Sequence, residues 1–115
     1  MVVLIIRSRA ELEQMRQMLE ALGIYIKLAV DVERRIVAGG GELHADCELA
    51  LLSDGSEQAN IWGADWYPVN QTVGYESLIN IRPSAHNRSM EIQDPALREN
   101  IRQIVQSLLG NVQWQ

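Results

Sequence analysis

Residues 31–48 read DVERRIVAGGGELHADCE, with three consecutive glycines between two stretches in which apolar and polar residues alternate. An alternation with a period of two is typical of a β-strand that buries one of its faces. Before the glycines, the even-numbered residues of 24–32 are apolar; after them, the odd-numbered residues of 43–51 are apolar. The pattern therefore predicts an antiparallel hairpin of two half-buried strands with its turn in the glycines.

The alternation also decides which side chains share a face of this hairpin. Residues that are paired directly across two antiparallel strands lie on the same side of the sheet. Both apolar sets share one side only if the turn has two residues, either Gly39-Gly40 or Gly40-Gly41. In both registers the opposite, polar face includes five carboxylates and one imidazole, from Asp31, Glu33, Glu42, His44, Asp46 and Glu48.

This polar face is the candidate ligand-binding site. One imidazole among several carboxylates suits a divalent cation such as Mn, Zn or Mg, and the candidate metal ligands are His44, Asp46 and Glu48. Asn80 and Arg82 lie on the non-core side of a later predicted strand and complete the candidate site. Two alternatives stay open, namely a structural role of Arg82 in neutralising the carboxylates and a merely solvated acidic surface.

The rest of the chain predicts the remaining elements. Residues 2–6 are apolar and β-branched, which favours a buried strand. Ser8, followed by Glu11, marks the start of a helix that ends at Gly23. Further strands are predicted at residues 58–67, with Gly63 as a candidate bulge, and at residues 73–82.

A last helix is predicted after Asp94-Pro95, because Asp is a favoured N-cap and Pro a favoured first helical residue. The predicted element order is β-α-β-β-β-β-α, within a single domain spanning residues 1–115. We expect an α+β fold, a mostly antiparallel sheet of four to five strands with two helices packed on one face and a more polar opposite face.

Charge and composition argue against some classes of binding partner and of cellular location. Residues 36–81 contain seven acidic residues and no Lys or Arg, whereas the whole chain has a net charge of -5. This distribution disfavours nucleic acid, whose phosphates require Lys and Arg. The five apolar residues at the start are too few for a signal peptide or a membrane span. We expect a cytoplasmic protein, and its only cysteine, Cys47, is expected to be a buried, inert thiol.

Four longer stretches carry a family resemblance: AGGGELHADCE at 38–48, IWGA at 61–64, INIRP at 79–83 and NRSMEI at 87–92. In these stretches the chain resembles an uncharacterised bacterial family, frequent in cyanobacteria, that is known only as a domain of unknown function. The resemblance spans residues 27–110. It implies a bacterial, cytoplasmic, single-domain protein, and it implies no activity, cofactor or catalytic residue.

For function, we expect a non-enzymatic binding or assembly module, because the charged cluster lacks a complete catalytic constellation. A homodimer is expected, with a polar sheet face that binds a small ligand, a divalent cation or a protein partner. The alternative is a metal-dependent hydrolase that uses the cluster of residues 31–48. In it, His44, Asp46 and Glu48 hold the metal and Glu42 or Glu33 acts as base. Neither hypothesis includes a nucleic-acid or membrane partner.

Overall fold

The computed structural model describes residues 2–114. Within them the chain forms an antiparallel sheet of five strands and three α-helices, so the predicted α+β class is confirmed. The elements are β1 (Leu4–Ile6), α1 (Leu12–Leu19), β2 (Ile26–Asp31), β3 (Ile36–Gly41), α2 (His44–Ser53), β4 (Ile61–Tyr67), β5 (Thr72–Gly74) and α3 (Pro95–Leu109). In the sheet the strands lie in the order β1-β3-β2-β4-β5.

The predicted hairpin exists, but its turn is not at the glycines. β2 and β3 pair directly up to Asp31, which lies opposite Ile36, and residues 32–35 form the turn. The turn is stabilised by local hydrogen bonds: the Asp31 carboxylate accepts hydrogen bonds from the backbone N–H groups of Glu33 and Arg34 at 3.0 and 2.9 Å. Arg35 completes it in the left-handed region, at φ 56°. An aspartate turn therefore replaces the predicted glycine turn.

The three glycines lie inside β3, where helices pack on both sides of the strand. A Cβ on Gly39 would lie 3.0 Å from the Met18 sulfur of α1, and a Cβ on Gly41 would lie 2.9 Å from the Asp46 Cβ of α2. Gly40 has φ +105° and sits at a β-bulge, where the pairing with β2 shifts by one residue. The glycines thus allow close helix packing rather than a chain reversal.

The largest correction concerns residues 43–51, which are predicted as a strand and form most of helix α2. The same residues also satisfy a helical period, because Leu43, Cys47, Ala50 and Leu51 recur at intervals of three and four. Asp46 caps the helix, since its carboxylate accepts the Leu43 backbone N–H at 3.1 Å. The polar strand face that was to carry the candidate ligands therefore does not exist.

The sheet is covered on both sides. On the first face, the even-numbered β2 residues Ile26, Leu28 and Val30 are buried in one core with apolar residues of α1 and α3, which confirms the two predicted helices on one face. On the second face, α2 covers Ala29, Ile36, Ala38 and Ile61, and Cys47 and Leu51 are its buried contacts. This second face is largely apolar, not polar as predicted.

The first residues of two helices can be compared with the helix starts that the sequence predicts. Helix α1 begins after Glu11, whose backbone N–H is accepted by the Gln14 side chain at 2.9 Å, so Ser8 is not its cap. Helix α3 begins as predicted: the Asp94 carboxylate accepts the Ala96 N–H at 3.0 Å and Pro95 is the first helical residue. None of the helices formed by residues 2–114 has the length and apolar character to cross a membrane.

The strand predicted at 73–82 is short, because β5 ends at Gly74. Residues 75–93 form a long irregular segment with two 3-10 turns, Leu78–Asn80 and Pro83–Ala85. Gly63 is not a bulge, since it pairs regularly with Ala29 of β2. It lacks a side chain for another reason: a Cβ there would lie 2.5 Å from the Ser77 Cβ of the irregular segment.

Candidate functional site: a cleft at the start of helix α2

A cleft of about 630 Å³ opens beside the first turn of α2. Its floor comes from the sheet, where Lys27 of β2 and Asp65 of β4 are directly paired. One wall is the start of α2, with His44 as its first helical residue, and the other includes parts of residues 73–79 and 90–91. The cleft therefore joins chain segments that lie far apart in sequence.

An imidazole–carboxylate pair lies in this cleft. The Nε2 atom of His44 is 2.8 Å from Oδ1 of Asp65 and 3.0 Å from the carbonyl oxygen of Ala64. The two side chains are only 12% and 10% exposed, so water screens their interaction poorly. A histidine whose ring is oriented by a carboxylate is a common arrangement in binding and catalytic sites.

Aromatic rings form a second part of the lining. Tyr25 and Tyr67 stack with their ring centroids 5.3 Å apart and their planes 9° from parallel. Burial raises the pKa of Tyr67, and the neighbouring Asp65 adds to the effect. Both the stack and the protonated phenol of Tyr67 thus present a flat, uncharged surface to the cleft.

The opposite wall carries Tyr75 and Arg98. The Arg98 guanidinium lies over the Tyr75 ring, 4.5 Å from its centroid, as a cation–π contact. Burial raises the pKa of Tyr75, and the nearby Arg98 partly opposes this. The rim is apolar and open: Leu43, Leu78 and Met90 are 59%, 73% and 38% exposed.

The cleft has charges of both signs. Lys27 donates from Nζ to the Glu42 carbonyl oxygen at 3.0 Å, which holds the ammonium group at the cleft floor. Besides Lys27 and the His44–Asp65 pair, the lining includes Glu76, Glu91 and Arg98. This mixture does not select a strongly charged ligand of either sign.

Of the predicted candidates, only His44 lines this cleft. Its side chain contacts the sheet at Asp65. Asp46 caps α2, Glu33 lies exposed in the turn between β2 and β3, and Glu42 is exposed just before α2. Glu48 points to the irregular segment, where its carboxylate lies 3.4 Å from the Arg82 guanidinium. The predicted cluster is thus dispersed.

Arg82 has contacts typical of a structural residue. It donates to the carbonyl oxygens of Ile79 and Gln58 at 3.1 and 2.8 Å, and it lies over the Trp62 ring at 4.8 Å. Burial lowers the pKa of Arg82, and Glu48 opposes the shift. A smaller cavity of about 410 Å³ adjoins it, but its guanidinium is already used by protein groups.

Asn80, the other candidate of this segment, is fully buried. Its amide donates to the carbonyl oxygens of Gly63, Tyr75 and Met90 and accepts the Gly63 N–H. All of these partners are backbone groups. Asn80 therefore organises the irregular segment that forms one wall of the cleft.

The helical geometry also explains what happens to the predicted metal ligands. Successive helical residues are about 100° apart, so His44 and Glu48 lie on one side of α2 while Asp46 lies on the other. Across residues 2–114, no group of three or more His, Cys, Asp and Glu side chains is arranged to hold a metal ion. The metal hypothesis assumed that the side chains of His44, Asp46 and Glu48 share one face of a strand, and the structure has no such strand at these residues. The same holds for the metal-dependent hydrolase.

The acidic middle of the chain is likewise not a single surface. Asp54 forms ion pairs with Arg7 and Arg34 at 2.6 and 2.7 Å, both from outside the acidic stretch. Asp65 contacts His44, and Glu48 contacts Arg82. Two of the seven carboxylates of this stretch, those of Asp54 and Glu48, are therefore paired with arginines from outside it.

Three cleft residues escaped the sequence analysis: Lys27, Asp65 and Tyr67. Lys27 and Asp65 share one signal, a charged residue inside a strand whose neighbours are apolar, as in IKLAV and IWGADWY, whereas Tyr67 has no such signal. A charged side chain in a nearly buried strand requires a partner or solvent access. The sequence of one strand does not show which residue is that partner, since Lys27 and Asp65 are 38 residues apart.

Comparisons with known proteins identify the family but no activity. No curated protein and no solved structure matches the chain. A family model described as a protein of unknown function, DUF5674, matches residues 4–108. This match extends from the first residue of β1 almost to the end of α3, and so includes every strand and the whole cleft floor. The chain therefore belongs to the DUF5674 family of proteins of unknown function.

Proposed function

We propose that this protein is a small, non-enzymatic binding module that takes an organic ligand into the cleft at the start of α2. The observation that carries the proposal is the convergence of the His44–Asp65 pair, Lys27 and the Tyr25–Tyr67 stack on one cleft of about 630 Å³. Ligand sites are typically concave, about 300–1,000 Å³ in volume, and lined by apolar groups with a few convergent polar ones.

The lining supports a ligand with an apolar or planar body. The stacked tyrosines and the exposed Leu43, Leu78 and Met90 provide apolar contact, which favours a flat or hydrophobic group. The charges around it are mixed, so a neutral or zwitterionic molecule fits better than a polyanion.

Binding rather than catalysis is proposed because the nearest nucleophile in sequence is unsuitable. Cys47, one helical turn from His44, is buried and donates its thiol to the Lys27 carbonyl oxygen at 3.4 Å. Burial raises the pKa of Cys47 to about 11, so the thiol is not a ready nucleophile at neutral pH.

The proposal is tested by screening a library of neutral and zwitterionic aromatic fragments against the intact protein, by thermal shift and by protein-observed NMR. We expect fragments to perturb resonances of Lys27, His44 and Tyr67. Tyr67→Ala should weaken binding about tenfold or more, because it removes one ring of the stack. Glu57→Gln, an exposed change away from the cleft, is the control and should leave binding unchanged.

Perturbations confined to other surfaces, or fragment affinities that Tyr67→Ala leaves unaltered, would count against a cleft ligand. Turnover in a broad hydrolase screen that is lost with His44→Ala would instead contradict the non-enzymatic part of the proposal.

The proposal also includes a homodimer. Helix α2 exposes Leu49 and Leu52, at 63% and 37%, on its outward side, and a second copy could remove this apolar surface from water. Sedimentation equilibrium of the wild type and of Leu49→Lys tests this part separately. A wild type that stays monomeric at micromolar concentration would contradict the dimer without affecting the cleft.

A further inference from the structure

His44 has only one ring nitrogen left for a ligand. Both contacts of its imidazole within residues 2–114 are made by Nε2, to Asp65 Oδ1 at 2.8 Å and to the Ala64 carbonyl oxygen at 3.0 Å. A carbonyl oxygen can only accept a hydrogen bond, and an ionised carboxylate likewise only accepts. Nε2 therefore carries a proton and donates it to both oxygens.

When the ring is neutral, its lone pair therefore lies on Nδ1. Among the described side chains, the atoms that are buried without a hydrogen-bond partner are Asp31 Oδ2 and Trp66 Nε1, so His44 Nδ1 is not sealed away from solvent. Since His44 lines the cleft and Nε2 is bonded to the protein, Nδ1 is the ring nitrogen that remains available to a ligand. It is a hydrogen-bond acceptor in a cleft whose lining is partly apolar and partly charged.

We infer that the ligand of this cleft carries a hydroxyl or N–H group that donates to His44 Nδ1, and that Asp65 is the positioning residue that holds the ring in this orientation. The inference rests on the proposed function and adds the chemical class of the ligand. A site built to accept a donor discriminates against an analogue that lacks it, because the acceptor is then left unpaired in a partly dry site.

The orientation of the ring is testable without any ligand. At mildly alkaline pH, ¹⁵N NMR of the imidazole distinguishes a protonated ring nitrogen from a bare one. We expect Nε2 to be protonated and Nδ1 to be bare in the wild type. In Asp65→Asn, which exchanges a carboxylate for an amide of the same shape, we expect a smaller excess of this tautomer, because the amide oxygen is a weaker acceptor while the Ala64 carbonyl oxygen still favours a proton on Nε2. A wild-type ring with the proton on Nδ1 would overturn the inference.

The ligand class is tested with two related probes, 4-methylphenol and 4-methylanisole, in which a methyl group of the second replaces the hydroxyl hydrogen of the first. Wild-type protein should bind the phenol about tenfold more tightly than the ether, the effect of one hydrogen bond. The affinities are measured by NMR titration of the cleft resonances. Equal affinity of the two probes for the wild type would overturn the inference.

Two substitutions separate the ring nitrogens. In His44→Gln, the longer amide can still donate to Asp65 but places no acceptor where Nδ1 was, so the preference for the phenol should disappear. In His44→Asn, the shorter amide can place its oxygen near the Nδ1 position, so part of the preference should remain. A His44→Gln protein that is folded, as judged by circular dichroism, and still prefers the phenol would overturn the inference.

Failure of the inference and failure of the proposed function have different signatures. Binding of neither probe, together with no hit in the fragment screen, overturns the proposed function and the ligand class with it. Binding of both probes with equal affinity leaves the cleft a binding site and overturns only the donor requirement.

Discussion

The side-chain amide of Asn80 pairs with the backbone of Gly63 as a neighbouring β-strand would. Asn80 Oδ1 accepts the Gly63 N–H at 2.8 Å and Asn80 Nδ2 donates to the Gly63 carbonyl oxygen at 3.0 Å. This is the reciprocal pair of bonds found between directly opposed residues of an antiparallel ladder. One side chain thus completes the edge of β4 beyond the end of β5, and the absence of a side chain at Gly63 leaves room for Ser77, whose Cβ would lie 2.5 Å from a Gly63 Cβ.

Replacing Asn80 by Ala should destabilise the fold strongly. The change removes the partner of the buried Gly63 N–H and of the buried Gly63 carbonyl oxygen, and each such group costs about 1–3 kcal/mol; the Tyr75 and Met90 carbonyl oxygens keep backbone N–H partners. We expect a loss of about 3 kcal/mol or more in the free energy of unfolding, measured by urea denaturation. Asn70→Ala, at an exposed asparagine, is the control and should cost less than about 0.5 kcal/mol. Similar losses in both variants would argue against the strand-like role of Asn80.

Gly40→Ala should cost more than Gly55→Ala, although both glycines have a positive φ, of 105° and 101°. The backbone conformation alone costs a non-glycine residue about 1–3 kcal/mol. At Gly55 the added Cβ meets open space, whereas at Gly40 it would overlap the Val2 carbonyl oxygen and press on Met18. We therefore expect Gly40→Ala to lose about 1–3 kcal/mol beyond the loss in Gly55→Ala. Equal unfolding free energies for the two variants would refute the packing explanation.

Cys47 should be inert in the native protein. Burial raises its pKa from 9.0 to about 11, which lowers the thiolate fraction at neutral pH about hundredfold, and the side chain is inaccessible. We expect no measurable reaction with a disulfide reagent in buffer and one reactive thiol per chain in denaturing urea. Ser53→Cys, which adds an exposed thiol near the end of the same helix, is the positive control. Rapid native labelling of the wild type would show that α2 opens readily.

Asp54 should make stability depend on acid pH. Hydrogen bonds from Arg7, and then from Arg34, lower its pKa from the ordinary value of 3.8. A carboxyl group with a lowered folded-state pKa contributes stability that is present above the unfolded-state value and is lost as pH falls through the folded-state value. Wild-type protein should therefore exceed Asp54→Asn in stability at neutral pH, and this difference should shrink as the pH falls below 3.8.

Urea midpoints measured across this range give the comparison for Asp54, with Glu57→Gln as a control that should show no such trend. Because the carboxylate is partly exposed, added salt should reduce the neutral-pH difference. A difference between wild type and Asp54→Asn that stays constant down to acid pH would contradict the ion pairs with Arg7 and Arg34.

Patterns that depend on local chemistry predicted much of the fold. The Asp94-Pro95 pair marks the start of α3, because a carboxylate cap and a proline without an N–H act on the nearest backbone groups alone. The even-numbered apolar residues of β2 mark its core side, because alternation is a property of any single strand. The antiparallel class and the two helices on one face follow from such patterns.

The candidate site could be predicted only in part. His44 was identified as a candidate, but its predicted neighbours were residues of the same chain segment, whereas its contacts come from Ala64 and Asp65. The residues that form the cleft with it, Lys27 and Tyr67, have no motif in the sequence. Their positions follow from the pairing of β2 with β4, which the order of residues does not reveal.

By itself, the sequence determined the helix cap at Asp94, the buried face of β2 and the antiparallel α+β class, since each depends on neighbouring residues. Tertiary structure alone decided that residues 36–41 form a strand and residues 44–53 a helix. Their glycines are typical of a turn in an isolated chain, and their apolar residues satisfy a period of two as well as a helical one. Packing resolved both ambiguities, because a strand without side chains lets α1 and α2 approach both sides of the sheet, and α2 then buries Cys47 and Leu51. The same packing placed His44 beside Asp65 and so created the cleft.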